Sequence, residues 1–230
     1  MGIAFVLGLI VYIGWGAGDI FGVYATRKLG AYLTTFFVLL FGFLLSSLYI
    51  PFALDDLHKI TVGLFVINFA LGAAYLSGNF LVNEAFRQSS ASIVGIIIQS
   101  FPAIVLLLSA LIFKDPISSK QLLWVLLIFA GVFLCSFNFK AIKHGVLLKD
   151  KGVKLALAAT AIFSIYFTFL RIFANRYGWF WPNYISFVTF PIVTLFMKHV
   201  FKVDEKLSIP KQKLALVAMF LSAFFLRGQM

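Results

Sequence analysis

Residues 90–113 read Ser-Ala-Ser-Ile-Val-Gly-Ile-Ile-Ile-Gln-Ser-Phe-Pro-Ala-Ile-Val-Leu-Leu-Leu-Ser-Ala-Leu-Ile-Phe. The stretch holds no charged residue, and Gln99 and Pro102 are its sharpest interruptions. A helical bilayer crossing takes about 20 predominantly apolar residues, and this run supplies them. Seven other segments read alike. The eight candidates lie at roughly 3–26, 31–52, 61–82, 90–113, 121–139, 154–174, 180–200 and 212–228. Outer-membrane barrels instead show ~10-residue alternating stretches, and none occurs here. The predicted fold class is therefore an all-α polytopic membrane protein with eight transmembrane helices.

Composition agrees with lipid as the solvent. Of 230 residues, 62% are hydrophobic, 12% are charged and 29 are Phe. A soluble domain holds about 45–50% apolar and about 25% charged residues. A globule of this size could not bury so much apolar surface. Disordered and collagen-like chains are excluded by the same figures. The first segment lacks a basic leader and a small-residue cleavage site, so it reads as a membrane helix and not a removable signal. The single Cys135 excludes an internal disulfide and reads as a small apolar residue of the fifth segment.

The net charge of +11 points to anionic lipid as a partner, because Lys and Arg gather at segment ends. No nucleic-acid-binding module accompanies it. Loops after segments 1, 3, 5 and 7 hold thirteen of the nineteen Lys and Arg, and the others hold six. The positive-inside rule then puts the N-terminus outside.

Shifted by 148 residues, the sequence superposes segments 1, 2 and 3 on 6, 7 and 8. Gly30 meets Gly178, Asp56 meets Asp204, and Ala70 meets Ala218. Five segments separate the units, so the second runs upside down, as in many secondary transporters. The predicted organisation is a first five-helix unit at 1–139, a basic linker at 140–153, and a second unit of three helices at 154–230. Completing that unit predicts a ten-span form of about 285–300 residues.

Glu84-Ala85, Pro102, Asp115, Gln121 and Gly131, with Trp15-Gly16 in segment 1, resemble the pattern of an EamA domain of the drug/metabolite transporter superfamily. The resemblance implies that the chain is an incomplete version of a ten-helix inverted-repeat transporter fold. It also implies a cytoplasmic N-terminus, opposite to the loop count. The expected location is the plasma (inner) membrane of a prokaryote.

Ionisable and polar groups inside a bilayer are costly and face a cavity or a partner. Residues at i, i+3/4 and i+7 share a helix face. By that spacing the candidate substrate-binding residues fall in four stripes. Segment 1 offers Tyr12, Trp15 and Asp19, segment 3 Asn68, Tyr75 and Asn79, and segment 4 Gln99. Segment 6 offers Ser164, Thr168, Arg171 and Asn175. Asp19 would bind a cation, carry a proton or meet a substrate amine; Arg171 would grip a carboxylate or phosphate. Glu84 is a second candidate for proton coupling. Pro102 would bend its helix. Vertical offsets put Asp19 and Arg171 at opposite ends of one pathway, about 16 Å apart along the normal. The row Gly14–Gly18–Gly22 serves internal packing or a homodimer.

No metal-ligand, P-loop or hydrolase motif is present. His58, His144 and His199 lack metal-ligand spacing. The reading is a non-enzymatic secondary transporter, without a cofactor, for a small metabolite or amphipathic compound, working by alternating access of two inverted repeats. The alternatives are an integral-membrane enzyme acting on a lipid headgroup and a non-transporting scaffold. Convergence of the polar stripes on one cavity separates them.

Overall fold

A computed structural model of the chain describes residues 2–136, 150–204 and 206–227. Among these residues there are ten α-helices: α1 Gly2–Leu29, α2 Ala31–Ser47, α3 Val62–Gln88, α4 Ala91–Ile98, α5 Phe101–Phe113, α6 Ser119–Ser136, α7 Lys151–Tyr177, α8 Phe180–Val188, α9 Phe190–Val200 and α10 Lys213–Arg227. Two 3-10 turns, Ile50–Phe52 and Leu54–Lys59, join α2 to α3. Most of the basic linker (residues 140–149) lies outside the described residues, as does the side chain of Cys135.

The eight expected membrane spans are not what the structure contains. Among the described residues four helical runs are long and apolar enough to cross a bilayer: Val6–Leu29, Val62–Gln88, Ala91–Phe113 and Lys151–Tyr177. A fifth is reached if α8 and α9, bent by 45°, count as one span. Ala31–Ser47, Ser119–Val132 and Lys213–Leu226 are apolar but have only 10–17 residues. At about 1.5 Å per residue a 17-residue helix such as α2 reaches about 25 Å, short of a ~30 Å hydrocarbon core. Hydropathy overcounts because apolar residues continue past helix ends. Ile50, Phe52 and Leu54 prolong the second apolar run, but α2 stops at Ser47 and Pro51 sits in a 3-10 turn. The ten-helix inverted-repeat template therefore does not describe the observed spans.

Local chemistry sets the helix limits. Thr61 caps α3, its Oγ1 accepting from the Leu64 N–H at 3.2 Å. Asp150 caps α7, accepting from the Gly152 and Val153 N–H groups at 2.8 and 3.3 Å. Ser89 at the end of α3 donates to the same carboxylate at 2.8 Å, tying the two helices together. Pro102 is accommodated by a break at Gln99-Ser100 between α4 and α5. Hydroxyls of Thr160 and Ser164 in α7 reach the carbonyls of Ile97 and Phe101 beside the break, at 3.2 and 3.4 Å. Neighbouring hydroxyls commonly satisfy backbone groups that a membrane proline frees.

α1 ends at Gly30, with φ 87, and α7 ends at Gly178, with φ 84. Both lie in the left-handed region that favours glycine. Their ψ angles, 165 and 164, also agree. The two positions are 148 residues apart, so the chain turns into α2 and into α8 with one backbone geometry. The same offset relates two antiparallel pairs. Gly18 of α1 lies against Ser222 and Leu226 of α10, and Tyr166 of α7 stacks on Tyr75 of α3 at 4.3 Å. α3 also touches α8 closely, Gly72 facing the backbone of Ser186. The main core is built around α3 and α7, where Leu76, Phe80, Tyr166 and Phe187 are fully buried.

Lys114 after α5 and Lys202 after α9 adopt φ 57 and φ 50. The Val203 N–H donates back to the Lys198 carbonyl at 3.0 Å, closing the turn after α9. A side chain there carries a steric cost that glycine avoids. Lys114→Gly and Lys202→Gly are each expected to stabilise the protein by roughly 1 kcal/mol. The check is the unfolding temperature of the purified protein; a decrease would show that the lysine side chains hold these turns.

Candidate binding cavity

A cavity of about 90 Å³ lies between α1, α2, α3, α7, α10 and the α4–α5 break. Asp19, Thr35, Tyr75, Asn79, Asn83, Gln99 and Ser222 supply its polar lining. Trp15, Phe101, Phe163 and Phe167 supply an aromatic wall. On α1, α2 and α3 most lining residues lie in the halves nearer Leu29, Ala31 and Gln88, with Trp15, Leu39 and Tyr75 at the helix middles, so the cavity is displaced toward one end of the bundle.

Helix packing explains why these side chains converge. Gly18 and Gly22 let α1 approach α10, and the Ser222 hydroxyl donates to the Gly18 carbonyl at 2.8 Å. That contact fixes the rotation of α1 and turns Trp15 and Asp19 into the cavity. The break between α4 and α5 delivers Gln99, whose Nε2 donates to Asp19 Oδ2 at 3.2 Å. Gln99 Oε1 is buried without a partner among the described residues. The Asn79 amide N–H donates to the Tyr75 carbonyl at 3.0 Å. Thr26 donates to Asn83 Oδ1 at 3.1 Å, and Asn83 Nδ2 donates to Thr35 Oγ1 at 2.8 Å. This chain joins α1, α3 and α2. In the aromatic wall, ring centroids of Trp15–Phe101, Trp15–Phe167 and Phe101–Phe167 are 5.7, 6.3 and 5.0 Å apart. Tyr75 meets Phe167 at 5.8 Å.

The structure brings together five of the sequence-derived candidates: Trp15, Asp19, Tyr75, Asn79 and Gln99. The other six lie elsewhere. Tyr12 is 55% exposed on the outer part of α1. Asn68 is fully buried against α8, where its backbone carbonyl accepts from Ser186 at 3.3 Å. Ser164 supports the helix break, and the Thr168 hydroxyl donates to the Ser164 carbonyl at 2.6 Å. Arg171 pairs with Asp115 at the end of α5, with 51% of its side chain exposed. Asn175 is exposed on the last turns of α7. Asp19 and Arg171 do not meet, and Arg171 does not line the cavity. Glu84 is held by Arg87 through two bonds of 2.8 and 2.6 Å and by Gln88. It lines a second cavity, of about 280 Å³, with Tyr32, Lys202 and Asp204.

Sequence reasoning missed Thr35, Asn83 and Ser222 as lining residues. Thr34-Thr35 and Ser222 are hydroxyls within strongly apolar helices, and that was the available signal. Asn83 extends the stripe of α3 by one further turn.

Among the described residues no three His, Cys, Asp or Glu gather as a metal site. The family model of the EamA-like transporter family matches residues 2–137, more than half of the chain. Neither a curated protein nor a solved structure matches the chain significantly.

Proposed function

The chain belongs to the EamA-like transporter family, and from that premise we propose that it is a secondary transporter whose solute occupies the Asp19 cavity. The chain is a polytopic α-helical membrane protein, and membership in a transporter family sets it apart from membrane enzymes. The solute is a small metabolite or amphipathic compound, moved across a plasma membrane by alternating access. Two units, residues 1–139 and 154–230, rock about the cavity between them. The matching turns at Gly30 and Gly178 support that division.

One observation carries the reading. Polar side chains from α1, α2, α3 and the α4–α5 break converge on one cavity inside an otherwise apolar bundle. Such groups are costly in a membrane interior, and a scaffold has no use for them. Trp15, Phe101 and Phe167 form an aromatic part of the cavity wall.

The test is uptake by the purified chain in proteoliposomes against a panel of cationic, neutral and anionic metabolites. Saturable uptake of at least one solute, absent from protein-free vesicles, is expected. No flux of any solute in either direction would overturn the transport reading. In the same assay Arg171→Ala is expected to leave uptake unchanged, because the guanidinium serves Asp115 at the surface. Loss of uptake with normal protein stability would place Arg171 on the path.

A further inference from the structure

We propose that the solute held in this cavity is a small organic cation carrying N–H donors, such as a primary ammonium. The inference rests on the transport reading of the same site and adds the chemistry of what is carried. A count of donors and acceptors supports it.

Several donors of the site are already engaged. Gln99 Nε2 is held by Asp19, Asn79 Nδ2 by the Tyr75 carbonyl, and Asn83 Nδ2 by Thr35. The Ser222 hydroxyl is held by the Gly18 carbonyl. The acceptors are open. Gln99 Oε1 is buried with no partner among the described residues. Among those residues Asp19 accepts only from Gln99, which leaves a carboxylate oxygen for a ligand. A carboxylate accepts at both oxygens and an amide oxygen at two lone pairs. The amide orientation is dictated by its neighbour, since the flipped form would set Oε1 against the Asp19 carboxylate. Thus the cavity offers acceptors and one negative charge, with no basic side chain among the described residues of its lining.

Such a lining, with one carboxylate and no basic side chain among its described residues, disfavours an anion. An ammonium supplies the charge and the hydrogens together. The walls fit the same class, because Trp15, Tyr75, Phe101 and Phe167 present aromatic rings to the cavity. Rings attract a cation placed over their faces and bury the apolar remainder of an amphipathic amine.

The test is isothermal titration of the full chain in lipid nanodiscs with four matched probes: benzylammonium, benzyltrimethylammonium, benzyl alcohol and benzoate. Benzylammonium is expected to bind about tenfold or more tighter than benzyl alcohol, and benzoate weakest. Benzyltrimethylammonium keeps the charge but has no N–H, so it should fall between them. Asp19→Asn should lower benzylammonium affinity about tenfold or more, and lower it more than that of benzyl alcohol. Should that variant not fold, Gln99→Met should narrow the gap between the primary and quaternary ammonium probes. Equal binding of benzyl alcohol and benzylammonium, tighter binding of benzoate, or an unchanged gap in Gln99→Met would overturn the assignment. Neutral or anionic flux with no cation preference would leave transport standing and remove this inference. Cation binding without flux would do the reverse.

Discussion

Asp19→Asn in reconstituted vesicles is expected to cut uptake of the transported solute about tenfold to a hundredfold at equal protein density. Hydrogen bonds to a charged group contribute about 1.5–3 kcal/mol, and about 1.4 kcal/mol corresponds to one decade. Among the described residues Asp19 is the only charged side chain lining the cavity, so no neighbour replaces it. Asparagine matches its size but presents an amide. The substituted side chain and Gln99 must then arrange two amides where a carboxylate and an amide meet at 3.2 Å. Asp19→Glu keeps the charge and should retain more uptake than Asp19→Asn. The check is initial uptake rate together with the unfolding temperature, so that a folding defect is recognised. Wild-type uptake by Asp19→Asn would remove the carboxylate from the transport step.

The largest effect on stability is expected from Gly72→Ala. A Cβ at this position would lie 2.3 Å from Ser186 Cα, 2.6 Å from its carbonyl oxygen and 2.7 Å from its Cβ. Ordinary contacts between carbon atoms are about 3.5–4.0 Å. The obstacle is backbone, which cannot rotate away as a side-chain tip can. Relief requires α3 and α8 to separate, opening the core beside Tyr166 and Phe187. Overpacking costs about 1–3 kcal/mol, and this site belongs at the upper end. For a chain of this size that corresponds to a fall of roughly 5–10 °C in apparent unfolding temperature. Gly16→Ala is the matched control. Nothing lies within 4 Å of its Cβ, and in a helix interior alanine is favoured over glycine by about 0.5–1 kcal/mol. Equal unfolding temperatures for the two variants would contradict the close α3–α8 contact.

Lipid as the solvent was legible in composition, a helical fold in the continuous apolar runs, and the family in a handful of spaced residues. The number of spans was not. Apolar composition does not reveal that α2 stops at Ser47 or that α8 and α9 meet at 45°. Those limits come from Pro51, Pro191 and backbone turns. The cavity lining was legible where a helix carries one unambiguous polar face. Asp19 with Trp15, and Tyr75 with Asn79, are found by spacing because their helices bury those faces together. Tyr12 shares the spacing, but the outer part of α1 leaves the packed bundle, so the stripe runs out of partners. Serine and threonine stripes mislead for another reason. Thr160, Ser164 and Thr168 each donate to the carbonyl four residues earlier, which satisfies them without any cavity. Arg171 lies off the cavity through its reach. Its long side chain finds Asp115, 56 residues away in sequence, a contact that no periodicity discloses.

The position of the path itself is tested most directly by modifying two candidate residues that share a reading in sequence but not in space. In a Cys135→Ser background, Asn79→Cys and Tyr12→Cys are reconstituted and treated with a charged methanethiosulfonate reagent. Asn79 lines the cavity and Tyr12 faces outward. Modification at position 79 is expected to block uptake, and transported solute to slow that modification. Modification at position 12 is expected to leave uptake intact. Full uptake after modification at 79, or equal block at both positions, would contradict a path through the Asp19 cavity.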